Sequence, residues 1–448
     1  MGILITGATG QIGRKLIEAL FIKGHTDIRI LTRDTSRAAQ DFSLPLSFYQ
    51  WDIEKNWIDP SALINVDTII HLAGEGVADE KWSEARKKRI LDSRIKSAEL
   101  LLNEIKKQKP KGIKFISASA IGIYGDNNLG NGFLAEVCKK WEEVLLTADL
   151  PALKKHILRI GIVLMPEGGA LSKMVPPFEL GLGGPIGEGS QYMSWIHIDD
   201  LIAQFIFLVE NSLEPTIFNG VAETPVTNKE FTKTLAKVLN RPAVAKVPAT
   251  VIKAILGEMS EMVLFSQEVY PNEFKKLEFK FKFPKLQEAL TDILKYKVNG
   301  ESRLVNYQFI PQDIKTVFPF FMSETNLEKL TPPYLNFKVL GKSTDTIRSG
   351  TIIDYKLHLH GIPINWKTKI DSFIENEQFV DEQIKGPYQK WHHTHTFIPL
   401  KSGTLMIDEV TYKLPMGILG KIVAHPFVKK DVETIFKFRT EVIKQLFK

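Results

Sequence analysis

Three glycines at three-residue spacing, Gly7, Gly10 and Gly13, lie within Thr6-Gly7-Ala8-Thr9-Gly10-Gln11-Ile12-Gly13. Glycine lets a strand turn sharply into a helix and lets backbone N–H groups approach a pyrophosphate at the helix N-terminus. Alone the pattern is weak, because turns and caps also use glycine. Here an apolar run from Gly2 to Thr6 precedes it and a helical stretch from Gln11 to Ile22 follows, which is the context a dinucleotide site requires. Gly7, Thr9, Gly10, Gln11, Ile12 and Gly13 are therefore expected to bind the cofactor phosphates. The second strand candidate, Ile28 to Thr32, ends at Arg33, where an NAD site would carry a carboxylate for the ribose 2′-hydroxyl. An arginine there pairs with a 2′-phosphate, and Ser36 and Arg37 follow closely, so NADP is expected ahead of NAD. Asp34 weighs against this, and a solvated loop charge is the alternative role for Arg33. Asp52 ends a third strand candidate, where it either accepts from an adenine amine or is a plain surface carboxylate.

These residues need a scaffold that brings strand ends together. Further short strands at Thr68 to Leu72, Lys114 to Ser117 and Ile157 to Leu164 alternate with helical stretches at Glu84 to Lys107 and Leu134 to Thr147. That alternation predicts an α/β, Rossmann-like, doubly wound parallel sheet. Pro166 to Trp195 is rich in Gly and Pro with few helical stretches, and Thr250 to Phe265 reads as an apolar helix. Phe279 to Phe283 alternates Phe and Lys as a strand with one buried face would. Beyond Gly300 the style changes to alternating strands closed by a helix from Pro426 to Phe447, an α+β domain. The chain has 448 residues, 44% hydrophobic and 25% charged, which excludes wholesale disorder and a membrane-embedded protein. A net charge of +6 spread over the chain predicts no nucleic-acid partner. Cys138 is the only cysteine, which removes disulfides and multi-cysteine zinc patterns. With no export signal and no long apolar span, a cytoplasmic protein without an integral membrane segment is expected.

With these residues in view, positions 1 to about 295 resemble the extended short-chain dehydrogenase/reductase family, in its atypical, epimerase-like subgroup with a small C-terminal domain of unassigned function. The matching text includes His71-Leu72-Ala73-Gly74-Glu75, Trp82, Ser93-Arg94, Ser117 to Gly125, Arg159, Gly183-Gly184-Pro185, Ser194 to Asp200 and Leu256-Gly257-Glu258. The resemblance implies that Leu72, Ala73 and Gly74 line the cofactor and that Ser119 stands near the family's catalytic serine. The family's chemistry uses a Tyr with a Lys four residues on, so that the phenolate can exchange a proton during hydride transfer. Only Tyr334 and Lys338 have that spacing, far from the glycine loop, and the helix around Phe133 to Glu142 has no Tyr. Tyr124 is the substitute acid. Glu75, at a strand end where ligands sit in open α/β sheets, is another proton carrier or a loop carboxylate. His197 resembles the family's His-x-Asp-Asp segment and is expected to position a loop, with Asp199 or Asp200 capping the next helix. Arg159 either binds a substrate anion or ties a buried carboxylate.

Residues 303–448 resemble START-like, helix-grip (SRPBCC) domains such as polyketide cyclases, through Gly386 to Trp391, His393-x-His395-x-Phe397, Asp408-Glu409-Val410 and Tyr412. That implies an apolar cavity for a lipid-like or aromatic ligand. His358 with His360, and His393 with His395, each share a strand face and invite a metal reading. No further His, Asp or Glu completes a ligand set in the sequence, so packing or hydrogen bonding is expected and no metal. The expected domains are 1–246 for the nucleotide, 247–298 as the small epimerase-family segment, and 303–448 for the apolar ligand. Together they predict an NADP-binding oxidoreductase or epimerase-like protein acting on a small or lipophilic molecule. The alternative is a non-catalytic NADP sensor or ligand carrier.

Overall fold

The computed structural model describes residues 1–110, 112–125, 129–415 and 425–448. In chain order the first part contains β1 Ile3–Thr6, α1 Gln11–Ile22, β2 Ile28–Thr32, α2 Thr35–Gln40, β3 Ser47–Asp52, β4 Trp57–Ile58, β5 Thr68–His71, α3 Glu84–Gln108, β6 Lys114–Ala120, α4 Phe133–Leu146, β7 Lys154–Ile160 and β8 Ile162–Leu164. It continues through α5 Gly169–Glu179, β9 Tyr192–Met193, β10 Trp195–His197, α6 Ile198–Glu210, β11 Thr216–Gly220, β12 Val226–Thr227, α7 Asn228–Leu239, α8 Ala249–Leu256, α9 Glu261–Leu264, α10 Asn272–Lys276 and α11 Leu286–Asn299. The main sheet has the order β11-β7-β6-β5-β1-β2-β3-β4, parallel except for β4. Ile3, Leu4 and Ile5 are fully buried, which is why the central strand reads as a continuous apolar run. Leu16, Ile17, Leu20 and Phe21 give α1 one buried stripe.

Several elements differ from the sequence expectation. The strand from Ile157 to Leu164 breaks at Gly161, where a Cβ would lie 2.5 Å from the Ser194 carbonyl oxygen, and β8 pairs with β10 instead. The Gly/Pro-rich segment holds the helix α5 despite Pro176 and Pro177. The helix expected over Thr250 to Phe265 ends at Gly257, whose φ is +59°, and resumes through a 3-10 turn as α9. Phe279 to Phe283 forms no strand and joins no sheet. The Lys282 and Phe283 amides donate to the Asp200 carboxylate at 2.7 and 2.9 Å, which satisfies them without a neighbouring strand.

Chain contacts divide the molecule into two compact units, one of residues 1–20, 25–41 and 46–294, the other of 21–24, 42–45 and 295–448. The second unit contains β13 Ser302–Ile310, α12 Ile314–Phe321, α13 Glu324–Lys329, β14 Lys338–Lys342, β15 Ile352–Leu359, β16 Ile362–Ile374, β17 Gln378–Lys385, β18 Lys390–Leu400, β19 Gly403–Lys413 and α14 His425–Leu446. Its seven-stranded antiparallel sheet has the order β13-β19-β18-β17-β16-β15-β14. Val432, Phe436, Arg439 and Ile443 recur at helical spacing and give α14 its buried face. Gln308 of β13 donates to the Thr440 carbonyl at 2.9 Å and fixes the helix along the sheet. This arrangement of an antiparallel sheet and a long final helix is consistent with a helix grip. Among the described residues no helix is long and apolar enough to cross a membrane.

Candidate functional site

The glycine loop is built by hydrogen bonds between adjacent strand ends. Thr6 Oγ1 at the end of β1 lies 2.8 Å from His71 Nδ1 and accepts from the amides of Leu72 and Ala73, both at 3.2 Å. The two strand ends are thereby held so close that a Cβ on Gly7 would lie 2.7 Å from the Leu72 carbonyl carbon. Gly7 also has φ of +69°, so both space and conformation demand glycine. A Cβ on Gly13 would lie 2.5 Å from the Gly7 oxygen, so α1 packs directly on the turn. Thr9, Gly10 and Gln11 are exposed, leaving the first-turn amides of α1 open to face an anion. This cradle fits a dinucleotide pyrophosphate.

Arg33 follows β2 with an exposed side chain that makes no ion pair among the described residues. Asp34, its acidic neighbour, is the N-cap of α2 and accepts from the Arg37 amide at 2.9 Å. Asp52 plays a similar local part. It accepts from the Lys55 amide at 3.1 Å, and this bond holds its carboxyl below the ordinary value against partial burial.

The centre of the candidate active site is a row across three strands. Ser119 of β6, Arg159 of β7 and Asn219 of β11 are in register with one another. Ser119 Oγ donates to Glu142 Oε1 of α4 at 2.7 Å, and Arg159 grips the same carboxylate at 2.8 and 2.6 Å. The third guanidinium nitrogen donates to the Tyr124 oxygen at 2.6 Å, and the Tyr124 hydroxyl donates to Asn219 Oδ1 at 2.9 Å. Burial opposes charge on Arg159, but the Glu142 carboxylate outweighs it and raises the guanidinium above its ordinary value. Cys138 stands one helical turn before Glu142, the same i,i+4 spacing that a Tyr/Lys pair would use. Burial, reinforced by Glu142, pushes its thiol up to about 11, so it is a neutral group at physiological pH.

Ser119 and Tyr124 thus meet in one network, whereas Glu75 belongs to another. Arg86, buried to 7% exposure, donates to Glu75 Oε2, while its other nitrogen holds the Gly76 carbonyl at 2.6 Å. This pairing fixes the loop after β5. His197 itself caps α6, its Nδ1 accepting from the Asp199 amide at 3.0 Å, so neither Asp199 nor Asp200 takes the expected capping role. Tyr334 and Lys338 lie in the second unit. Glu142 and Asn219 were missed in the sequence. A search for carboxylates one turn after Cys138 would have flagged Glu142, but no local signal marks Asn219.

Three family patterns match the chain. They are the NAD dependent epimerase/dehydratase family over residues 3–138, a domain of unknown function (DUF1731) over 247–293, and polyketide cyclase / dehydrase and lipid transport over 310–437. An epimerase family protein SDR39U1 homologue, chloroplastic, of Arabidopsis thaliana is 37% identical over 310 residues, covering 66% of this chain and 87% of the relative. An epimerase family protein of Mycobacterium leprae is 33% identical over 300 residues, covering 64% and 94%. Among solved structures, human epimerase family protein SDR39U1 (isoform 2) with NADPH is 29% identical with a TM-score of 0.57, over 66% of this chain and 99% of that one. A nucleoside-diphosphate sugar epimerase from Corynebacterium glutamicum is 27% identical with a TM-score of 0.52, over 66% of this chain and 58% of that one. The glycine cradle, the ordered strand-end motifs and these likenesses together establish that the chain belongs to the epimerase family, as an NAD(P)-binding, SDR39U1-like member that carries a C-terminal polyketide cyclase-type domain.

Proposed function

We propose that the Rossmann unit binds NADP(H) and exchanges hydride with a small or lipophilic carbonyl or alcohol, with Tyr124 as the proton carrier. The observation that carries the cofactor choice is Arg33, which makes no ion pair among the described residues and stands beside an Asp34 already committed to capping α2. A guanidinium without an ion pair can take a 2′-phosphate, whereas the one carboxylate that would select NAD is spent. The NADPH held by the human relative supports the same choice. The glycine loop from Gly7 to Gly13 and the strand end Leu72, Ala73 and Gly74 would hold the dinucleotide, and Asp52 lies at the end of β3 where the adenine is expected.

Bound NADP(H) supplies the hydride chemistry. Tyr124 gives its proton to a substrate oxygen that competes with Asn219 Oδ1. The charge left on the phenol oxygen is stabilised by Arg159, already 2.6 Å away, which does the work of the missing lysine. Ser119 is buried to 3% exposure and donates to Glu142, so it acts by positioning the Glu142–Arg159 pair. The match of residues 310–437 to polyketide cyclase and lipid transport proteins supports an apolar ligand in the second unit. The test is calorimetric titration with NADPH and NADH, followed by a substrate screen read as NADPH oxidation. Arg33→Ala should weaken NADPH at least ~10-fold, the equivalent of about 1.4 kcal/mol, and leave NADH unchanged. Tyr124→Phe should keep NADPH affinity and lose turnover. Equal losses for both cofactors would remove Arg33 from the site, and tight binding with no turnover on any substrate would select the sensor role.

A further inference from the structure

The interior of the second unit holds a polar cluster that the reading above leaves unused. His393 and His395 lie two apart on β18 and so project from the same sheet face. Asp381 of β17 pairs directly with His393, and Asp408 of β19 pairs directly with His395, so two neighbouring strands bring carboxylates to one histidine pair. All four are buried or nearly so, beneath the face of α14 that carries Arg439.

Asp408 Oδ1 lies 3.1 Å from His393 Nε2, at hydrogen-bond distance, and 2.7 Å from His395 Nδ1, which Arg439 Nη2 also approaches at 3.3 Å. Arg439 Nε, 3.5 Å from Asp408 Oδ2, balances that carboxylate. The opposite nitrogens, His393 Nδ1 and His395 Nε2, lie 3.4 and 3.0 Å from Asp381 Oδ2, the second in a hydrogen bond whose proton a bound metal would replace. Protonating both rings is opposed by their own repulsion, since the centroids are 3.7 Å apart. One nitrogen of each ring and one Asp381 oxygen lie within 4.8 Å of one another. A metal with bonds of about 2.0–2.2 Å to nitrogen and oxygen has ligand edges close to the two separations measured.

We propose that Asp381, His393 and His395 form a binding site for a divalent first-row transition metal, with zinc the expected ion. Asp408 is its outer-shell carboxylate, within reach of the second ring nitrogen of each histidine, where metal-bound histidines commonly find a carboxylate. Phe379 stacks on His395 at 4.0 Å and 17° and holds that ring in place. Three protein ligands leave a coordination position open to water or a polar ligand group, the pattern of a reactive rather than a purely structural zinc site. Asp381, with 17% side-chain exposure against 7% and 4% for the histidines, marks the open side. The other histidine pair takes no part: His360 bonds to Asp431 at 2.8 Å, away from His358.

The test uses the full chain, stripped with chelator and titrated with Zn²⁺ by calorimetry and with Co²⁺ by absorbance. One equivalent of Zn²⁺ per chain is expected, and Co²⁺ should show ligand-field bands of a low-coordinate site. Asp381→Asn and His395→Gln should abolish both, while Asp408→Asn should keep the stoichiometry and weaken affinity about 10–100-fold. Near-UV circular dichroism identifies which variants fold, and the Co²⁺ spectrum of the unaltered protein stands even if none does. The proposal is overturned by no stoichiometric Zn²⁺ binding, by a Co²⁺ spectrum unchanged from the aqueous ion, or by undiminished binding in folded Asp381→Asn. NADPH binding is read in the same samples and is expected to be independent, so failure here is distinguishable from failure of the cofactor reading.

Discussion

At the scale of single residues, burial decides which groups are chemically available. His71 is fully buried between Thr6 and Ser97, and burial, with Arg94 as a smaller cause, lowers it to about 3. Between that value and the ordinary His value of about 6.5, the unfolded chain binds a proton that the folded chain does not. His71 therefore costs stability progressively as pH falls below about 6.5, and the cost is complete near the folded value. Denaturant unfolding at pH 7.5 and pH 5 should show a smaller acid loss for His71→Gln than for the unaltered protein. His156 and His393, both lowered to about 4 by burial, act in the same direction, so the difference between proteins is diagnostic rather than the total slope. An identical acid loss in the variant would refute the assignment.

At the scale of elements, short-range capping and long-range register do different work. Asp34 caps α2, so Asp34→Ala should cost about 1 kcal/mol of stability. Because the carboxylate faces the Arg37 amide and not a ribose, the same variant should keep its NADPH-to-NADH preference. A shift of that preference on calorimetric titration would show that Asp34 touches the cofactor. The glycine loop was legible because Gly7, Gly10 and Gly13 stand within seven residues between a strand and a helix, whereas the α6 cap was expected at Asp199 or Asp200 and is His197. The Ser119–Arg159–Asn219 row was not legible, because parallel strand order aligns β6, β7 and β11 across about a hundred residues, leaving no local periodicity to read. Phe279 to Phe283 failed for the converse reason: its alternation is that of a half-buried extended segment, but Asp200, not a strand, receives its amides.

At the scale of the whole molecule, two units with separate cores should respond separately to their ligands. The Rossmann unit centres on residues such as Leu4, Ile69 and Phe115, the second on Phe318, Phe397 and Ile443. Differential scanning calorimetry should resolve two transitions, with NADPH raising one and Zn²⁺ the other. A ligand present at 100 times its Kd contributes about 2.7 kcal/mol to the unit that binds it. One transition moved equally by both ligands would show that the units unfold together. The amino-acid sequence by itself determined what local chemistry can encode: the glycine turn, the alternation of strand and helix, the lone Cys138, the missing Tyr/Lys pair, and the change of style after Gly300. The tertiary structure alone decided which distant residues meet. Arg159 was brought beside Tyr124, and Asp381 and Asp408 closed around two histidines that had looked incomplete. The physical reason is that side-chain partners across a sheet are set by strand order and register, and those follow from burying the whole core rather than from any one segment.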